Sequence, residues 1–136
     1  MRTNIGEKIK SIDQKFLRKD LPDFNVGDTV KMKIKVQEAD KVRFHPFEGT
    51  VISKTGRGLK AAFTVRKVAF GEGVERIFPI HSPVIESLKV VARGEVKRAK
   101  LYYLRNRIGK KSKVNVHEEI EHKEATTPVI EVNASA

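Results

Sequence analysis

VKMKIKVQ, residues 30–37, alternates apolar and polar side chains without a break. A repeat of two is the signature of a pleated strand, in which successive side chains point to opposite faces. Val30, Met32, Ile34 and Val36 share one face, and Lys31, Lys33, Lys35 and Gln37 share the other. The stretch therefore predicts a half-buried antiparallel strand with a cationic outer face. VGD at 26–28 is the turn that launches it.

Downstream, RFHPFEGTVIS (43–53) predicts a second strand, with a bulge or sharp bend near Pro46 and Gly49. A Gly-rich basic loop, KTGRGLK, follows. AFTVRKVAF (62–70) predicts a third strand, GEG (71–73) a tight turn, and VERIFPI (74–80) a fourth strand. Ser82 and Pro83 suit the N-cap and first position of a short helical turn. Ile85 to Val91 forms a fifth apolar run. Phe47, Phe63, Phe70 and Phe78 all fall at apolar strand positions and are expected in the core. Five short strands separated by regular turn signals predict a small all-β barrel or sandwich.

Upstream the period changes. Ile5, Ile9, Ile12 and Phe16 recur at spacings of four, three and four. They predict an amphipathic helix with Thr3 or Asn4 as its N-cap. A stripe that narrow needs a partner surface, expected on the domain itself, with another protein as the alternative. Pro22 ends this region, because it lacks an amide donor and disfavours helix at Leu21.

Charge supplies the functional signal. The 136 residues carry 28 Lys and Arg against 17 Asp and Glu, a net charge of +11. Residues 1–22 hold +3, 23–91 hold +4, 92–114 hold +8 and 115–136 hold −4. The peak is Arg93 to Lys113, with nine cations, the single acid Glu95, and Tyr102 and Tyr103 in the middle. Read as a helix over 97–108, it places Leu101, Leu104 and Ile108 on one stripe and Lys100, Tyr103 and Arg107 on another. Crowded like charges are stable only when screened, and the long polyanion of a cell is nucleic acid. Lys97, Arg98, Lys100, Arg105, Arg107, Lys110, Lys111 and Lys113 are the candidate phosphate contacts. Tyr102 and Tyr103 are candidates for stacking on unpaired bases. In the KTGRG loop, Gly56 and Gly58 let backbone amides approach a phosphate while Lys54, Arg57 and Lys60 supply charge.

Other chemistries have little support. Without cysteine the chain has no disulfide, thiolate metal site or Cys nucleophile. His45, His81, His117 and His122 form no metal-ligand pattern. His81 and Ser82 are adjacent, and neighbours in sequence seldom face each other as nucleophile and base. Glu48 and Glu75 stand among cations, where pairing with Arg43, Arg66 or Arg76 is expected in place of acid catalysis. No secretory h-region and no apolar run long enough for a membrane span are present, so a cytosolic protein is expected, with no membrane partner.

Four motifs then occur in fixed order: FEGTVI (47–52), FTVRKV (63–68), GEGVERIFPIHSP (71–83) and VKRAKLYYLRNRIGK (96–110). In these the chain resembles bacterial large-subunit ribosomal protein nineteen. The likeness runs from Asp23 to about Val116, and the helix followed by RKDLPDFNVGD is similar to the family's start. It implies an SH3-like barrel, embedded in large-subunit ribosomal RNA near the subunit interface. It further implies a bridge to small-subunit ribosomal RNA, neighbouring ribosomal proteins, a role in shaping the aminoacyl-tRNA region, and no catalytic residue, cofactor or small-molecule substrate. The expected organisation is an N-terminal helix and linker (1–22), a β-barrel core (23–92), a basic RNA-binding extension (93–116) and an acidic tail (117–136). That tail exceeds the family's usual end. It contains a possible docking strand at Val129 to Val132, and its glutamates Glu118, Glu119, Glu121 and Glu124 are expected to meet a basic protein or solvent. The rival readings are a free-standing RNA-binding or RNA-chaperone factor, which shares the charge, and an RNA-processing enzyme, which lacks a catalytic constellation.

Overall fold

The computed structural model of the protein describes residues 4–107, 109 and 113–119, with 117–119 by backbone alone. Helix α1 (Ile5–Phe16) begins at Asn4, whose side chain accepts a hydrogen bond from the Gly6 amide at 3.3 Å. Six strands follow: β1 (Thr29–Glu38), β2 (Lys41–Thr55), β3 (Ala62–Ala69), β4 (Glu72–Pro79), β5 (Ile85–Gly94) and β6 (Val116–Glu119). They form one antiparallel sheet in the order β4-β3-β2-β1-β5-β6. The chain is mainly β, as its alternating segments predict.

The alternation of β1 is realised: Val30, Met32 and Ile34 are buried and the intervening lysines are exposed. They join Phe47 and Val51 of β2, Phe63 and Val65 of β3, Phe78 of β4, Ile85, Leu88 and Val90 of β5, and Phe24 in one core. Phe24 meets Phe63 edge-on at 4.9 Å, and Phe47 meets Phe78 at 5.6 Å. Residues from all five major strands thus enclose a single interior. The sheet curls around it without closing, because β4 and β6, the outermost strands, do not pair with each other. The expected barrel is an open one.

Strand β2 explains the curl. Its first part pairs with β1 up to Thr50, and its last part, from Thr50, pairs with β3. The expected bend lies between them. A Cβ at Gly49 would meet the Arg66 carbonyl oxygen at 2.5 Å, so glycine admits the close approach of β3. Before Thr50, β2 has β1 as its only strand neighbour among the described residues, an edge setting in which Pro46 is tolerated.

Three expectations are corrected. Phe70 is not in the core: it is fully exposed at the tip of the β3–β4 hairpin, with φ +54° followed by Gly71 at +80°. The turn is therefore Phe70–Gly71, and Glu72 and Gly73 already pair within β4. Ser82 and Pro83 do form the cap and first position of a single turn, closed by the Ile85 amide donating to the Ser82 carbonyl at 3.3 Å. The Ser82 hydroxyl accepts from the Val84 amide at 3.2 Å and caps a turn leading into β5. The stripe of α1 is not covered by the domain, since Ile5, Ile9, Ile12 and Phe16 are each more than half exposed. Among the described residues, α1 approaches the turn at Gly58–Lys60, and Phe16 at its end borders a hollow with Lys35 and Pro83. Strand β6 was not anticipated, and Val129 to Val132 lies outside the described residues.

Candidate nucleic-acid interface

The basic segment is built onto the sheet through a bulge. In β2 the pairing with β3 slips between Val51 and Ser53, so Val51 and Ile52 are both buried although adjacent. Val51 enters the main core. Ile52 enters a second cluster with Leu101 and Leu104, flanked by Val26, Val96, Tyr103 and Val114. The Leu101 amide donates to the Ile52 carbonyl at 2.8 Å. This tertiary bond displaces the helix expected over 97–108. Residues 97–101 are irregular, and one 3₁₀ turn, Tyr102–Asn106, replaces it. The repulsion among Lys97, Arg98 and Lys100, with no acid at helical spacing, favours that outcome. Leu101 and Leu104 are nevertheless buried as the spacing predicts, whereas Ile108 lies outside the described residues.

The described part of the segment is anchored at both ends. It leaves β5 at Gly94 and returns to the sheet at β6, and the Glu95 amide donates to the Asn115 carbonyl at 2.9 Å across its neck. The neck is fixed from below by Asp28, only 2% exposed, whose carboxylate accepts from the Asn25 amide at 2.8 Å and the Gly94 amide at 3.2 Å. A Cβ on Gly94 would overlap the Gly27 carbonyl oxygen, so glycine is required where the two backbones meet.

Within the loop, Glu75 of β4 acts as a pin. Arg105 binds it with both arms, Nε to Oε1 and Nη2 to Oε2 at 2.7 Å each, and Arg66 donates to Oε1 at 2.9 Å. The hydrogen bond from Arg105, then that from Arg66, holds the Glu75 carboxyl below its ordinary range against the opposing effect of burial. Arg105 is raised correspondingly by Glu75. The expected pairing of Glu75 with Arg66 is present, and Arg105 is an addition that sequence spacing did not reveal. Glu38 pairs with Arg43 at 3.5 Å.

Each tyrosine organises two cations. Arg105 and Lys100 approach the Tyr102 ring at 4.6 and 5.8 Å, and Arg107 and Arg98 approach the Tyr103 ring at 4.7 and 5.4 Å. Tyr103 is half-buried against the second cluster, while Tyr102 is 41% exposed. The rings thus act first as supports for guanidinium and ammonium groups. A base stacking on Tyr102 would share it with Arg105.

Lys97, Arg98, Lys100 and Arg107 are exposed together on this loop, and Lys113 is exposed near its end. Lys110 and Lys111 lie outside the described residues. Lys54 is turned inward: its Nζ donates to the Phe24 carbonyl at 2.7 Å and lies 4.6 Å from the Phe24 ring centroid. It braces the fold. Arg57 and Lys60 are exposed at the turn next to α1, separate from the basic loop in sequence. His81 and Ser82 form no dyad, because His81 Nδ1 accepts from the Arg18 amide at 2.9 Å. The Arg18 side chain meanwhile holds the carbonyls of Ser82 and Ile85.

Comparison with known proteins is decisive at this point. The family model for ribosomal protein L19 matches residues 7–117. The chain belongs to the ribosomal protein L19 family. A large ribosomal subunit protein bL19 of Clostridium novyi (strain NT) is 54% identical over 106 residues, covering 78% of this chain and 91% of the relative. The bL19 protein of Clostridium perfringens (strain 13 / Type A) is 51% identical over 110 residues, covering 81% and 96%. That of Clostridium beijerinckii is also 51% identical, with 81% and 95% covered. The L19 family is a structural component of the large ribosomal subunit and not an enzyme, and a member works on the cytoplasmic ribosome. No helix among the described residues is long and apolar enough to cross a membrane. The family match stops at residue 117, where the acidic segment begins.

Proposed function

We propose that this L19-family chain binds large-subunit ribosomal RNA through its basic loop near the subunit interface, where it contributes to a bridge with small-subunit RNA and shapes the aminoacyl-tRNA region. The observation that carries the reading is the state of the loop's charge. Lys97, Arg98, Lys100, Arg107 and Lys113 have no ion-pair partner among the described residues, and only Arg105 is neutralised. A protein gains nothing from concentrating unpaired cations on a braced loop unless a polyanion neutralises them. Residues 93–116 supply this contact, the sheet of 23–92 carries it, and 1–22 and the acidic 117–136 are available to neighbouring ribosomal proteins. Arg57 and Lys60 provide a second, smaller phosphate contact beside α1.

Purified chain and large-subunit ribosomal RNA provide the test. Neutralising six to ten phosphates makes affinity fall by about 10³ to 10⁵ between about 50 and 200 mM salt. Replacing Lys97, Arg98, Lys100 and Arg107 with Gln flattens that dependence while the melting temperature holds. An affinity indifferent to salt, or unaffected by the four substitutions, overturns the reading. Crosslinks from the chain to small-subunit RNA in joined ribosomes, absent from free large subunits, test the bridge.

A further inference from the structure

The outer face of the sheet carries a second concentration of charge, separate from the loop. Lys31, Lys33 and Lys35 project from β1 on the side opposite the core. The register sets Lys89 of β5 opposite Lys31 and Ser87 opposite Lys33. On the other flank, Glu48, Pro46 and Phe44 of β2 lie opposite Lys31, Lys33 and Lys35 in turn. All four lysines are exposed, and none makes an ion pair among the described residues. Two acids adjoin the strip: Glu48, and Glu86, which shares a surface hollow with Lys35.

Two features of this face weaken the isolated fold. Lys31 and Lys89 are like charges on directly opposed strand positions, a repulsion that Glu48 on the other flank of Lys31 offsets only for Lys31. Phe44 is 50% exposed and has no aromatic partner among the described residues. A third feature points to the ligand. Glu48 and Thr29 line one crevice together with Lys113, Val114 and Val116, so the lysine strip begins where the basic loop returns to the sheet. From there it runs about 13 Å along β1, from Lys31 to Lys35.

We propose that Lys31, Lys33, Lys35 and Lys89 form a second phosphate track for an RNA strand, continuous with the basic loop, and that Phe44 at its far end stacks on a base. A strand is a suitable mount, because alternate side chains project in one direction at fixed spacing and the buried half of β1 holds them rigid. The proposal rests on the RNA-binding reading of the loop.

The test uses the full chain and a fluorescein-labelled oligouridine long enough to span loop and strip. Lysines are acetylated with and without RNA and quantified by mass spectrometry. Lys31, Lys33, Lys35 and Lys89 become protected together with Lys97 and Lys100. In parallel, replacing the four strip lysines with Gln lowers the slope of log affinity against log salt by about 3, at about 0.7 per lost phosphate contact on a single strand. Phe44→Ala weakens binding about 5- to 150-fold without changing that slope. Protection of Lys97 and Lys100 alone, with no protection of the strip, overturns the track and leaves the loop's role standing. Protection nowhere, with no salt-dependent binding, overturns both. The footprint on the unsubstituted chain decides the matter even if the quadruple variant fails to fold.

Discussion

Glu75→Gln removes the acid that gathers Arg66 and Arg105 while keeping the side chain's size. Arg66 and Glu75 are only 16% and 22% exposed at their side chains and 2.9 Å apart, so this bond is partly shielded from solvent. A charge-assisted hydrogen bond in that setting stabilises by about 1–2 kcal/mol. Arg105 is half in solvent, where screening leaves its contact mainly orienting the loop. Because the native Glu75 carboxyl titrates below its ordinary range, the native state binds fewer protons than the unfolded chain. The stabilisation is therefore complete above the unfolded carboxylate value and drains away as pH falls through the depressed native one. Urea unfolding at about pH 7 should separate parent and variant by about 1–2 kcal/mol, and the gap should shrink progressively as the medium is made acidic. Equal stabilities at neutral pH, or a gap that persists undiminished in acid, would refute the role assigned to Glu75.

Three further substitutions probe the loop's anchors and the β3–β4 turn. Leu101→Ala opens a cavity in a small cluster and should cost about 2–3 kcal/mol by denaturant unfolding, with weaker RNA binding at constant salt slope; an unchanged midpoint would show that Leu101 does not anchor the loop. Gly94→Ala forces a methyl against the Gly27 carbonyl and should destabilise by about 1–3 kcal/mol, whereas a neutral result would mean that the neck can part freely. Phe70→Asn relieves a bulky residue of a positive φ and should raise stability by about 1 kcal/mol in thermal melts; a lower melting temperature would reveal packing by Phe70.

The fold was legible where local and global demands coincide. The alternation in Val30 to Val36 reports burial directly, and Gly49 marks the bend at which β2 changes partners. The misreadings share one cause, since each depends on tertiary placement. Phe70 closes the apolar run of β3, but it stands in the opposite phase to the buried Phe63 and Val65, and the two-residue turn takes it out of the sheet. Leu101 and Leu104 fit a helix, yet the Ile52 carbonyl captures the Leu101 amide once the bulge exposes it. Nothing local to VHEE at 116–119 signals a strand, and its pairing follows from the neck that returns the chain to β5. In the candidate site, the clustered cations were readable from composition. The inward turn of Lys54 and the Arg105–Glu75 pin were not, because both partners lie about thirty residues away in sequence.

The central claim, that the chain is an integral part of the large subunit held by RNA, is tested most directly by sedimentation. Lysate is fractionated on sucrose gradients at moderate and then high salt, and the chain is followed by quantitative mass spectrometry. The account predicts about one copy per large subunit, retained through the high-salt wash because, although salt weakens each phosphate contact, release from the assembled subunit requires several separate surfaces to let go at once. A chain that stays at the top of the gradient, or washes off readily, would contradict it and identify a free-standing RNA-binding factor.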